Sequence, residues 1–318
     1  MELCNFSQVI VLVLLCLVGL GSYFCYDAPV ALEIPLKANL NLTQGMYNGL
    51  YYFYNYPNVI VCPLGGILVD TYLGKRWAGI LFASLVMAGQ FVTSWGTWVG
   101  ELWIMDMGRF IFGLGGETLV TVQNAYCVSW YSGSILNLAM GVVLSVSRFG
   151  SVVSLNLLST IYDDLEENNL NSTEPVSEVV VLGRTMVFAS LFTILSLGAA
   201  TALAFTDFKF PPKKVETDDQ KDEVVSVISQ KSVVKLTFKE KMLDLKKRMT
   251  FPLGAWLIFS ICVFYYSSIF PLISQGTEFY IIRYNVTEDT AVSLNSMPYL
   301  ISLPAVPIFG ALIDYRMV

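Results

Sequence analysis

The sequence predicts an all-α, polytopic membrane protein, and three observations predict it. Of its 318 residues, 55% are hydrophobic and only 14% charged, with a mean hydropathy of +0.60. A soluble globular chain carries about 25% charged residues, so this one cannot cover its surface with charge. Apolar runs near 8–27, 46–69, 77–98, 103–129, 137–161, 180–205, 251–274 and 291–313 are each long enough to cross a bilayer. About 20 residues suffice for a helix crossing about 30 Å of hydrocarbon. Strands are excluded, because an open sheet edge in lipid leaves backbone groups unpaired.

The first run lacks the basic leader and small-residue cleavage site of a signal peptide, and Gly19 to Asp27 continues as helix. It and the next five spans come in quick succession, forming an N-terminal six-helix bundle over 1–206. A charged linker occupies 207–250, and the first two helices of a second bundle occupy 251–318. The linker alternates acids with bases and ends in Lys246, Lys247 and Arg248. It is expected to be solvated, held to anionic lipid by its bases, with an amphipathic helix possible over 233–249.

Orientation follows from the loop charges. Lys75, Arg76, eleven of the 19 Lys and Arg (within 207–250) and Arg316 fall on one side, which the positive-inside rule makes cytosolic. The N-terminus is on that side too. The opposite side carries Lys37, Arg184 and Arg283 among many acids, including Glu33, Asp163, Glu166, Glu288 and Asp289. Sequons at Asn41, Asn171 and Asn285 all fall on this luminal or extracellular side, as glycosylation requires. A fourth, Asn5, falls on the cytosolic side.

Composition also limits the chemistry. Histidine is absent, and the six cysteines mostly sit singly in apolar segments, so they are packing residues and not a disulfide or zinc framework. No nucleophile–base set, metal cluster or phosphate-cradling loop appears. An enzyme, a cofactor and a nucleic-acid partner are therefore not expected, and no metal site is.

Two related runs close the second and eighth spans: GILVDTYLGKR from Gly66 to Arg76, and GALIDYR from Gly310 to Arg316. Glycine lets helices approach closely. Asp70 and Asp314, at helix ends, can meet nearby bases such as Lys75 and Arg76 or the positive end of a neighbouring helix. In the fourth span, the run from Arg109 to Gly116 places arginine one turn from Asp106, a spacing that allows a local ion pair.

Glu117 lies about 20 Å into helix four, and Arg148 about 16 Å into helix five from the opposite side. Both sit near mid-bilayer, where an unpaired charge costs at least about 2.5–3.5 kcal/mol. Two arrangements relieve that cost. The residues can form a salt bridge that holds two helices together, or they can line a wet cavity and hold the opposite ends of a zwitterion. Glu117, Thr121 and Asn124 recur at i, i+4 and i+7, a polar stripe suited to a cavity. Tyr23, Tyr26, Tyr52, Tyr265, Tyr266, Asn295 and Tyr299 are further mid-span candidates for its lining.

The repeated loop and the arginine-and-glycine helix resemble the major facilitator superfamily. The resemblance implies that superfamily's twelve-helix fold, of which eight helices are present. It also implies a gating role for Gly66, Asp70, Gly74, Arg76, Arg109, Asp314 and Arg316. The strings GSYFCYD (Gly21 to Asp27), YPNV (Tyr56 to Val59), GLGGE (Gly113 to Glu117), Gln123-Asn124, Ser129-Trp130 and SVSR (Ser145 to Arg148) are similar to its lysosomal dipeptide uniporter branch, as are Cys262 to Pro271 and Asn295 to Pro304.

That resemblance implies export of dipeptides from the lysosome to the cytosol. Glu117 would receive the dipeptide's amino group and Arg148 its carboxylate, with a glycosylated lysosomal membrane protein as accessory subunit. The chain departs from the branch in ending after the second gating loop and in lacking its N-terminal dileucine tail, which makes a fragment or splice form the expectation. Two other functions stay open. One is a proton-coupled symporter of another small organic solute, with Glu117 titrating; the other is a non-transporting assembly partner.

Overall fold

The computed structural model describes residues 6–132, 135–172, 175–211 and 253–316. The expected charged linker, the 233–249 helix and Asn5 lie outside the described residues. Eight long helices appear where apolar runs predict them: α1 Phe6–Tyr26, α4 Gln44–Leu68, α5 Gly74–Val99, α6 Leu102–Trp130, α7 Leu136–Leu170, α8 Glu178–Lys209, α9 Leu253–Ser274 and α11 Glu288–Arg316. Between them lie three short helices in stretches expected to be loop: α2 Ala28–Ala31, α3 Glu33–Asn39 and α10 Gly276–Tyr284.

Six of the long helices are apolar enough throughout to cross a membrane. The other two, α4 and α6, are long enough at 25 and 29 residues but more polar. Part of the reason is positional: Tyr54, Asn55 and Asn58 of α4 and Glu117 of α6 line the cavity described below.

Local chemistry sets the helix ends. The Thr43 hydroxyl accepts the Met46 amide at the start of α4, a common N-cap. Gly100, with φ of +82°, ends α5 in the left-handed conformation. A π turn, Val69–Leu73, leads from α4 to Gly74, whose φ of +66° a side chain would strain.

Small residues bring the first six spans together, since lipid gives apolar faces no reason to associate and packing must supply the attraction. A methyl group on Gly21 of α1 would stand 2.1 Å from the Phe192 carbonyl oxygen of α8. One on Gly89 of α5 would stand 2.3 Å from the Phe112 nitrogen of α6. Gly66 behaves differently from its expected packing role, because a methyl there would meet nothing within 4 Å.

The second part of the chain attaches chiefly through α11, which lies along α7. Pro307 has no N–H to give the Leu303 carbonyl one turn back, and the Ser145 hydroxyl of α7 fills that vacancy. Gly310 lets the helices touch: a methyl there would lie 2.6 Å from the Asn137 carbonyl oxygen. In contrast, α9 leaves nearly all its apolar surface uncovered.

Connectivity gives the bundle two ends. One bears Lys75, Arg76 and Lys209, and is called here the basic end. The other bears α2, α3 and α10 with exposed Asn41, Asn171 and Asn285, and is called the acidic end.

Candidate functional site

The centre of the bundle holds a cavity of about 420 Å³, within the range of small-molecule sites. Helices α1, α4, α6, α7, α9 and α11 all contribute to its lining, which includes Glu117, Arg148, Tyr23, Tyr26, Tyr54, Asn58 and Asp27. Tyr265, Tyr266 and Tyr299 line it from the second part of the chain. No ion pair joins Glu117 to Arg148 among the described residues, so the two charges face a shared space without neutralising each other. Tyr23 lies within the field of both.

Not every candidate reaches this space. Asn124 is exposed and outside the lining, because the stripe from Glu117 continues past the cavity towards the basic end. Asn295 is also outside it: its amide donates to the Ile273 carbonyl at 2.9 Å, holding the end of α9. Tyr52 lines a smaller neighbouring cavity of about 150 Å³ shared with Tyr26, Asp27 and Tyr299.

Of the lining residues that sequence reading did not single out, two stand out. The Tyr54 hydroxyl donates to Glu117 Oε1 at 2.9 Å and orients that carboxylate. It reaches there because Gly113 admits α4 so closely that a methyl would stand 2.1 Å from the Tyr54 carbonyl oxygen. Gly116 leaves room for the hydroxyl itself, 2.9 Å from where a methyl would be. A usable signal existed, since Tyr47, Tyr51, Tyr54 and Asn58 recur at i, i+4, i+7 and i+11 along one face. The second is Asp27, 1% exposed, with the hydroxyls of Ser151 and Tyr299 nearby but neither carboxylate oxygen hydrogen-bonded at normal geometry. Its position at the end of an apolar span resembles that of any helix-terminal acid, so the sequence alone could not mark it.

Arg109 corrects the expected pairing with Asp106. No ion pair forms there among the described residues. Arg109 is fully buried and donates instead to the carbonyls of Cys25 at 3.2 Å and Tyr26 at 2.8 Å. These are the last carbonyls of α1, which the helix itself cannot satisfy. The rings of Tyr26, Tyr51, Tyr54 and Phe112 surround the guanidinium at 5.3–5.7 Å, a cation–π arrangement. Arg109 thus fixes the end of α1 that carries Tyr26 and Asp27 into the cavity.

At the basic end, the side chains of Asp70 and Arg316 lie outside the described residues. Among the described residues, the two bases of that loop meet the carboxylate of Asp207. Lys75 Nζ lies 2.8 Å and Arg76 Nε 2.6 Å from the carboxylate of Asp207, which also accepts from Trp130 Nε1 at 3.0 Å. Asp207, expected to begin the linker, is a buried residue of α8. Asp314 faces the start of α7: Oδ2 accepts the Leu138 amide at 2.8 Å, and Oδ1 accepts the Asn137 side chain at 2.7 Å. A carboxylate there meets the positive end of the helix dipole.

A helical membrane bundle enclosing a central cavity with separated opposite charges is the architecture of a solute carrier. The chain belongs to the major facilitator superfamily, whose sequence profile, "Major Facilitator Superfamily", matches residues 11–317. Among curated proteins it is similar to the lysosomal dipeptide transporter MFSD1 of Bos taurus and of Homo sapiens, each 39% identical over 307 residues and 96% of this chain. The Gallus gallus protein of that name is 33% identical over 308 residues, covering 96% of this chain and 59% of its own. The chain spans about three-fifths of the length of these relatives, 61% for the first two. Among solved structures, the proton:xylose symporter XylE bound to 6-bromo-6-deoxy-D-glucose matches with a TM-score of 0.59. That match has 13% identity and covers 96% of this chain and 69% of the symporter, a likeness of fold.

Proposed function

We propose that the chain forms the substrate site of a facilitative dipeptide transporter. The observation that carries this reading is the placement of Glu117 and Arg148 on one cavity without an ion pair between them. A dipeptide is a zwitterion whose charges are separated by its own backbone. Its ammonium can meet Glu117 and its carboxylate Arg148, so each stranded charge gains a partner only when the guest is present. The curated relatives' name supports the same substrate class.

Transport then follows alternating access, in which one bundle moves against the other around the central site. Asp314 against the start of α7, and the Gly66–Arg76 loop, serve as gating contacts at the basic end. That end faces the cytosol with the N-terminus, as its excess of Lys and Arg favours. The acidic end, with Asn41, Asn171 and Asn285 glycosylated, faces the lysosomal lumen. A glycosylated lysosomal membrane protein docks there as accessory subunit.

Uptake of labelled dipeptide into proteoliposomes tests the reading. We expect saturable flux down the dipeptide gradient, with no uphill accumulation whatever pH gradient is imposed. Uphill accumulation driven by a pH gradient would make the cavity a symporter site with Glu117 titrating. An inert chain would make it an assembly partner.

Tyr54→Phe removes the hydroxyl that orients Glu117 while keeping the ring in its aromatic cluster. Dipeptide affinity should fall roughly tenfold, equivalent to about 1.4 kcal/mol. Titration with an N-acetylated dipeptide, which lacks the ammonium, should show little difference between wild type and variant. An equal loss for both ligands would point to general damage.

A further inference from the structure

At the acidic end, the two parts of the chain meet through one lysine shared between two carboxylates. Lys37 Nζ of α3 lies 2.6 Å from Glu278 Oε2 of α10 and 2.5 Å from Gln44 Oε1 of α4. Its own helix neighbour Glu33, one turn back, is left at 3.8 Å. Glu33 is 1% exposed, and neither of its carboxylate oxygens has a hydrogen-bond partner at normal geometry.

The surroundings of Glu33 suit a neutral group better than a charged one. Its own helix offers Lys37, whose short contacts are already to Glu278 and Gln44. From α10 comes the like charge of Glu278, and from α4 the phenols of Tyr47 and Tyr51; the Glu278 backbone and the Gln44 side chain favour the ionised form, but less than burial opposes it. Helix α8, which also packs on α3, brings exposed Glu178 and Arg184 to this end, where solvent screens them. Helix α2 has no ionisable side chain. An ionised Glu33 is therefore buried and poorly paired beside a second carboxylate, an arrangement that penalises charge.

We propose that Glu33, Lys37 and Glu278 form a proton-operated latch, in which Glu33 takes up a proton as α10 closes on α3 and releases it as they part. When the helices separate, Glu33 meets water and ionises, and Lys37 returns to it. When they close, Lys37 is drawn to Glu278 and the neutral Glu33 is buried behind it. The latch is independent of which solute the cavity holds.

The sign follows from linkage. Burial pushes the Glu33 carboxyl up to about 7 from an ordinary value of 4.5; the Glu278 charge adds to the rise, while Lys37, the Glu278 backbone and the Gln44 side chain oppose it. The closed arrangement thus binds more protons than the open one between those values, and acid on this side favours closure. Above about 7 Glu33 is ionised in both arrangements, and closure carries the full penalty of burying it. Below 4.5 it is neutral in both, and the dependence levels off.

Hydrogen exchange of the full chain in lipid nanodiscs, corrected for the intrinsic effect of pH, reads the latch directly. Amides of α10 should be roughly tenfold more protected at pH 5.5 than at pH 8. Glu33→Gln, which is neutral at every pH, should give high and equal protection at both. Lys37→Met removes the cation that favours ionised Glu33, so the midpoint of the response should move to higher pH. Wild-type protection that ignores pH, or a Glu33→Gln chain that keeps the wild-type response, overturns the proposal. If Glu33→Gln does not fold, the Lys37→Met midpoint decides: an upward move supports the latch and an unmoved midpoint rejects it.

Discussion

Arg148→Ala should abolish saturable dipeptide binding while the chain still inserts and folds. Arg148 lines the cavity, half-buried, and makes no hydrogen bond or ion pair among the described residues, so its removal breaks no polar contact. A guest carboxylate would lose the one cationic partner among the described lining residues. Truncating one partner of a desolvated charge pair costs about 2–5 kcal/mol, a loss of roughly thirtyfold or more in affinity. Isothermal titration with a dipeptide measures it, and the far-ultraviolet circular dichroism should match wild type. Retained affinity with normal fold would remove Arg148 from the site. Arg148→Lys should recover part of the binding, because lysine restores the charge without the bidentate fork.

Gly113→Ala should damage both fold and site, through one contact. The added methyl would lie 2.1 Å from the backbone carbonyl oxygen of Tyr54 and 3.0 Å from Pro57 Cγ. A backbone oxygen cannot rotate aside as a side chain does, so α4 must move away from α6 as a unit. Overpacking of this kind costs about 1–3 kcal/mol. The shift also withdraws the Tyr54 hydroxyl from Glu117, now at 2.9 Å. Lower thermal stability together with weakened dipeptide affinity is the expected result. Gly66→Ala is the control, since a methyl there meets nothing within 4 Å. If the two variants melt alike, the close approach at Gly113 is not what holds α4 in place.

How much of this was legible beforehand depended on whether the signal was local. Span positions came from runs of apolar residues, and all eight long helices follow them to within a few residues except at the acidic end of α7. There the helix continues to Leu170, because Leu165 still finds the core to pack against. The short helices α2, α3 and α10 were missed. They are too brief for a hydropathy pattern, and contacts between segments far apart in sequence sustain them, such as Lys37 with Glu278 across 241 residues.

The site divides along the same line. Glu117 and Arg148 stand out in any reading, because charge at mid-bilayer demands an explanation. Their relation to each other was not readable: a salt bridge and a shared cavity require the same residues at the same depths. Only the packing of six helices around one space separates those alternatives. Arg109 shows the converse, for its neighbour in sequence was Asp106, yet the unsatisfied carbonyls of α1 were the stronger acceptors once the helices assembled.

What the linear order of residues determined by itself is the class: an α-helical bundle in lipid, the order of its long helices, and two charges that oil cannot tolerate alone. Those follow from transfer energies that each segment carries wherever it sits. What the tertiary structure alone decided is the partnership of each polar group, from Tyr54 on Glu117 to Asp207 between Lys75 and Arg76. Hydrogen bonds act over about 3 Å, and residues 63 or 131 positions apart come within that reach only after the helices have packed.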